Sequence, residues 1–193
     1  MTNTLCIVAG YLLGSIASAW VVTLLIGKVS IRSDADGRIS PASVYYRLGM
    51  FPYILSVIMD ILLAAGAVKL AITITHSEII AMLSGVAAMI GHNWSIFLKF
   101  KGGQGATSMT GALAGLLLWQ LGCGLAVAAL VVAITRRTTF STIVGVVTVV
   151  IATLLSRDFG PIVFYPIALL LLMMLKRIQL SRAKTSDCNR KSI

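Results

Sequence analysis

The sequence predicts an all-α, polytopic membrane protein: a compact bundle of seven transmembrane helices with its N-terminus outside and its C-terminus in the cytoplasm. Three observations carry this prediction. Of 193 residues, 58% are apolar and 11% charged, with a mean hydropathy of +0.97, whereas a soluble domain runs at about 45–50% apolar and about 25% charged. A globule this apolar lacks the polar surface to cover itself. The apolar residues fall in runs long enough to cross a bilayer, at about 20 residues per spanning helix, and leave no room for a sizeable soluble domain. The charge is lopsided, 16 Lys+Arg against 6 Asp+Glu. In a chain of spans this excess marks loops held on the cytoplasmic side rather than nucleic-acid binding.

A single transmembrane domain is expected over 1–175, followed by a basic cytoplasmic tail, 176–193. The first span, 4–27, has no basic segment before it and runs apolar past signal-peptide length, so it reads as a retained helix. The polar segment 29–49 follows, with Arg32, Asp34, Asp36, Arg38 and Arg47. The second span, 50–75, tolerates Pro52 in its first turn and carries Asp60 near its middle. His76, Ser77 and Glu78 read as a solvated outer turn. The third span, 79–97, ends in the polar cluster Gly91, His92, Asn93, Trp94 and Ser95, and Lys99-Phe-Lys-Gly-Gly-Gln-Gly105 comes next.

The apolar run 105–135 is 31 residues long. As one helix it would rise about 46 Å, well over the roughly 30 Å hydrocarbon core. Two helices meeting near Trp119-Gln120, at 105–118 and 120–135, fit instead, and charge parity favours them. With the last spans at 138–155 and 159–175, seven crossings put fourteen basic residues inside and only Lys69 and Arg157 outside. A single crossing of 105–135 would move Arg136, Arg137 and the tail to the outer face, against the positive-inside rule.

Chemistry is confined to the inner face. The glycines of Lys101-Gly102-Gly103-Gln104-Gly105 allow successive backbone N–H groups to converge on an anion. The helix that starts there adds its positive end. The segment reads either as a phosphate cradle or as a basic linker turning the chain. It is not a Walker loop, since no Gly-Lys-Ser/Thr ends it. His92 and Asn93 either shape the same pocket or serve as hydrogen-bonded structural residues. A carboxylate within a span is costly and faces the bundle interior, so Asp60 either locks helices together or acts in the site. Gly10, Gly14, Ser15 and Ser18 form a small-residue packing stripe. The tail cations Lys176 to Lys191 read as attractors of anionic headgroups. Cys6, Cys123 and Cys188 have no CxxC spacing and suit neither a disulfide framework nor zinc. No His-x4-Asp or Ser-His-Asp arrangement is present. Asp34-Ala-Asp36-Gly37 lacks the further aspartates that CDP-alcohol phosphotransferases need.

Taken together, these segments resemble the acyl-phosphate:glycerol-3-phosphate acyltransferases of bacteria, the PlsY family, over essentially the whole chain. Tyr11-Leu-Leu-Gly-Ser15 is similar to the family's first-span signature. Gly91-His92-Asn-Trp-Ser-Ile-Phe97 resembles its Gly-His-x-x-Pro-x-Phe motif, and Phe100-Lys-Gly-Gly-Gln-Gly-Ala-Thr107 its Phe-Lys-Gly-Gly-Lys-Gly-x-Ala-Thr segment. Asp60, eleven residues after Gly49, matches the family's aspartate. The resemblance implies a monomeric, multi-pass enzyme of the bacterial inner membrane whose active face is cytoplasmic. Its substrates would be acyl phosphate and glycerol 3-phosphate, with no metal or other cofactor, and membrane lipids its surroundings. It implies phosphate binding by Lys101, Gly102, Gly103, Gln104, Gly105, Arg47, Arg38 and Ser43, and a pocket shaped by His92, Asn93 and Asp60.

The pattern also departs from the family's. In the first cytoplasmic loop Asp36 stands for a serine, Arg38 and Ser43 for asparagines, and Tyr46 for the arginine, with Arg47 one position later. Gln104 replaces the second lysine of the glycine-rich motif and Ser95 the proline. The family's His and Asn near the last helix are missing around Ile178. Two functional readings follow: an active acyltransferase, or a degenerate member that binds a lipid phosphate without turnover. A small transporter is disfavoured, since no pair of spans looks like an inverted repeat.

Overall fold

Backbone groups in a bilayer core must be satisfied within the segment, which makes helices the natural form of these apolar runs. The computed structural model describes residues 1–27, 41–100, 102–156 and 160–190, and over them the chain is helical. In order come α1 (Thr2–Ser15), α2 (Ser18–Val22) running into a π-helical turn (Thr23–Gly27), α3 (Pro41–Leu48), α4 (Met50–Thr75), α5 (Glu78–Asn93), α6 (Ala106–Leu116), α7 (Leu118–Thr135), α8 (Thr138–Ser156) and α9 (Phe164–Arg190). Five of these regions, those of α4, α5, α7, α8 and α9, are long and apolar enough to cross a membrane. A sixth is added when α1 and the helical stretch after it, bent by 43°, are taken as one broken span. The 105–135 run divides at Leu117. Its first piece, α6, has eleven residues, a rise of about 16 Å, short of the hydrocarbon thickness.

Helix α5 sits at the centre. Gly10 and Gly14 of α1 lie against Ser84 and Ala88 of α5, so close that a Cβ on Gly14 would fall 1.9 Å from the Ala88 carbonyl oxygen. Small residues permit this backbone approach. The Ser84 hydroxyl lies 3.2 Å from the Cys6 carbonyl and 3.1 Å from the Ala67 carbonyl, joining α5 to α1 and α4. Gly111 and Gly115 of α6 rest on Ile61 and Val68 of α4. The Tyr165 hydroxyl, on α9, donates to the Ala112 carbonyl at 3.2 Å and occupies space left by Gly85. Helices α7 and α8 pair antiparallel, Gly124 against Val149 and Gly145.

These contacts bring Lys99, Arg136, Arg137 and the Lys176–Arg177 part of α9 to one end of the bundle. Lys69 lies toward the other, near the α4–α5 turn, where His76 closes α4 in a left-handed conformation. Two features differ from the sequence expectation. The first span is not one straight helix: Ile16 and Ala17 are extended. Lys176, assigned to a lipid-facing tail, is buried within α9 with its ammonium 4.8 Å above the Trp94 ring. Helix α9 continues through Lys176 without a break, so the side chain falls on its bundle-facing stripe.

Candidate functional site

The polar end is organised around Asp60, which is 3% exposed. Helix α4 carries it, and the break between α1 and α2 aims Ser18 at it. The Ser18 hydroxyl donates to Asp60 Oδ1, and the Thr107 hydroxyl, from the first turn of α6, donates to Oδ2 at 2.7 Å. His92 Nδ1 is 3.5 Å from Oδ1. One carboxylate therefore ties together four elements, through Ser18, Thr107 and His92 at this end of the bundle. The break itself is supported by Ser95, whose buried hydroxyl donates to the freed Ser15 carbonyl at 2.5 Å. The Tyr11 hydroxyl donates to the Trp94 carbonyl at 3.1 Å, pinning the end of α5 to α1.

The glycine-rich segment folds back over the end of α5. The Gly103 N–H donates to the His92 carbonyl at 3.1 Å, and a Cβ on Gly102 would lie 2.1 Å from that same oxygen. Gly105 takes φ +80°, a left-handed conformation suited to glycine, and opens α6. A Cβ there would meet Asn93 Oδ1 at 2.5 Å. Asn93 is fully buried, and among the described residues neither its Oδ1 nor its Nδ2 has a hydrogen-bond partner. In front of this loop lies a cavity of about 380 Å³, lined among others by His92, Gln104, Gly105, Thr107, Thr142 and Arg177. It adjoins an apolar groove of about 120 Å³ between α6, α7 and α8, with Ala106 and Thr142 in both walls.

The structure thus brings His92, Gln104 and Gly105 together at the cavity. Gly102 and Gly103 are buried in the loop behind them, and Asp60 and Asn93 lie underneath. Arg47 is exposed in the last turn of α3 and does not line the cavity. Ser43 falls within the same helix. Lys101 and Arg38 lie outside the described residues, as do Asp34 and Asp36. Sequence reasoning missed Ser18, Thr107 and Arg177. A carboxylate in a span needs donors, which was a reason to search for hydroxyls at the same depth. Arg177 gave no such signal, because an arginine just beyond an apolar run resembles any headgroup-facing cation.

The family model described as Glycerol-3-phosphate acyltransferase matches residues 4–185. The chain belongs to the glycerol-3-phosphate acyltransferase family. Among its relatives, the glycerol-3-phosphate acyltransferase of Shouchella clausii is 31% identical over 171 residues, covering 88% of this chain and 82% of that one. That of Halalkalibacterium halodurans is 32% identical over 182 residues, covering 90% and 84%. The crystal structure of PlsY (YgiH), an integral membrane glycerol 3-phosphate acyltransferase, in its glycerol 3-phosphate form, superposes with a TM-score of 0.80. It is 21% identical, over 96% of this chain and 94% of that one. This likeness establishes the family's fold here. This acyltransferase chain sets its Asp60, His92 and glycine loop at one end of a fold shared with PlsY.

Proposed function

We propose that this acyltransferase moves an acyl group from acyl phosphate to the 1-hydroxyl of glycerol 3-phosphate, yielding lysophosphatidic acid for phospholipid synthesis. The observation that carries the reading is the cavity itself: a chamber beside a glycine-rich helix start that carries His92, Gln104, Thr107 and Arg177 in its wall and adjoins an apolar groove between helices. Such a site suits a substrate that is phosphate at one end and acyl chain at the other. Transfer is direct. The 1-hydroxyl oxygen forms the new ester bond to the acyl carbon, the bond from that carbon to the phosphate oxygen breaks, and the hydroxyl proton leaves on inorganic phosphate. Lys101 and the loop of Gly102, Gly103, Gln104 and Gly105 hold phosphate, and Arg47, Arg38 and Ser43 of the first cytoplasmic segment contribute to its binding. His92, Asn93 and Asp60 shape the chamber. Catalysis then rests on positioning and on charge stabilisation at the two phosphates.

The same reading takes the membrane topology as seven crossings. The bent α1–α2 pair and the short α6 each count as one, the N-terminus is outside, and the site and C-terminus face the cytoplasm across a bacterial inner membrane. The protein acts as a monomer. Purified protein should release phosphate from palmitoyl phosphate only when glycerol 3-phosphate is added. Lys101→Ala should abolish that release and Arg47→Ala weaken it. No acceptor-dependent release, with a PlsY control active alongside, would sink the reading.

A further inference from the structure

The glycine-rich segment brings a neutral side chain, Gln104, to the cavity wall. Opposite in origin is Arg177, from α9, which among the described lining residues is the only Lys or Arg. No Asp or Glu lines that cavity among the described residues, and the nearby Asp60 already accepts from Ser18 and Thr107. Arg177 is half-buried, and its Nη1 donates to the Thr139 hydroxyl at 2.7 Å. That bond uses one of the five N–H donors of a guanidinium and fixes the group against α8.

We propose that Arg177 is a phosphate-binding cation of this site, carrying from the last helix the charge that the loop lacks at Gln104, with Thr139 as its positioning residue. A neutral amide donates a hydrogen bond but leaves a dianion's charge uncompensated. A guanidinium supplies both charge and a planar pair of donors suited to two phosphate oxygens. Thr138 adds a neutral hydroxyl to the same chamber, whereas the Thr107 and Thr142 hydroxyls already donate to Asp60 and to the Thr138 carbonyl. The ligand chemistry is a phosphate dianion, whether of glycerol 3-phosphate or of the acyl phosphate. The inference rests on the acyl-transfer reading for those two sources, but the binding claim stands apart from turnover.

The test measures equilibrium binding of glycerol 3-phosphate and of palmitoyl phosphate to the purified full-length chain, together with the KM for each and kcat. Arg177→Ala should weaken one of the two about 10- to 100-fold, as expected for losing hydrogen bonds to a charged group. Its thermal midpoint should stay unchanged. Loss confined to glycerol 3-phosphate assigns Arg177 to the acceptor, and loss confined to palmitoyl phosphate assigns it to the donor. Arg177→Lys should keep part of the affinity, and Thr139→Val should cost a few-fold. The decisive arm is Gln104→Lys placed in the Arg177→Ala background, which should restore at least about tenfold of the lost affinity. Arg177→Ala binding both ligands within about twofold of the wild type would overturn the proposal even if turnover is normal. So would a loss that Gln104→Lys fails to repair, or a wild-type chain that binds neither ligand. A wild-type chain that binds through Arg177 yet releases no phosphate would instead sink acyl transfer and leave this site standing.

Discussion

Helices α5 and α7 are both apolar runs in one sequence, yet 56% of the α5 span is buried inside the bundle and only 17% of α7. The difference tracks size and polarity rather than hydrophobicity. Helix α5 presents Ser84, Gly85, Ala87, Ala88, Gly91, His92 and Asn93, and is clasped by α1, α4, α6 and α9. Helix α7 presents Leu125, Leu130 and Ile134 outward and touches α8 along its glycine side. Lipid tails compete on equal terms with leucine, so leucine alone gives a helix no reason to enter the bundle. Small residues and interhelical hydrogen bonds do. The candidate site stands where that polar density peaks, at the end of α5.

Four substitutions break or sharpen this contrast. The largest effect belongs to Asp60→Ala, which strips the Ser18 and Thr107 hydroxyls of their acceptor. Each buried donor left unmade costs about 1–3 kcal/mol, so the thermal midpoint in detergent should fall sharply and acyl transfer should vanish. Gly14→Ala comes next. Its Cβ would sit 1.9 Å from the Ala88 oxygen, and forcing α1 from α5 should destabilise by about 1–3 kcal/mol, read as a lowered unfolding midpoint. Ser95→Ala removes the donor to the Ser15 carbonyl and should cost about 1 kcal/mol. Because Ser95 holds the bend that aims Ser18, acyl transfer should drop with it. Gly122→Ala on α7 is the smallest, as a Cβ there meets nothing within 4 Å. It should shift stability by no more than about 0.5 kcal/mol. A Gly122→Ala loss as large as that of Gly14→Ala would refute the contrast.

Much of the site was legible before any coordinates. Asp60 stands out because a carboxylate in an apolar run has to be explained, and Gly102 and Gly105 because glycine clusters mark close approach or left-handed backbone. The partners of Asp60 were not legible. Ser18 looked like one more small residue in a packing stripe, and the bend that delivers it has no proline to announce it. Lys176 and Arg177 looked alike as tail cations, yet one is buried over Trp94 and the other lines the cavity.

Composition and run lengths, on their own, set the protein in a membrane as a helical bundle. The length of 105–135 required it to break, and the glycine-rich motif pointed to the end of the bundle where Gln104 and Gly105 line a cavity. Those inferences rest on local physics: apolar length against bilayer thickness, and backbone freedom at glycine. The choice of which polar groups meet belonged to the tertiary structure alone. Ser18, Asp60, His92 and Thr107 are far apart in the chain. Their encounter depends on which helices run parallel and at what depth each stands, which is decided by small-residue contacts such as Gly14 on Ala88. Helix packing of that kind is a property of pairs, and no single segment encodes its partner.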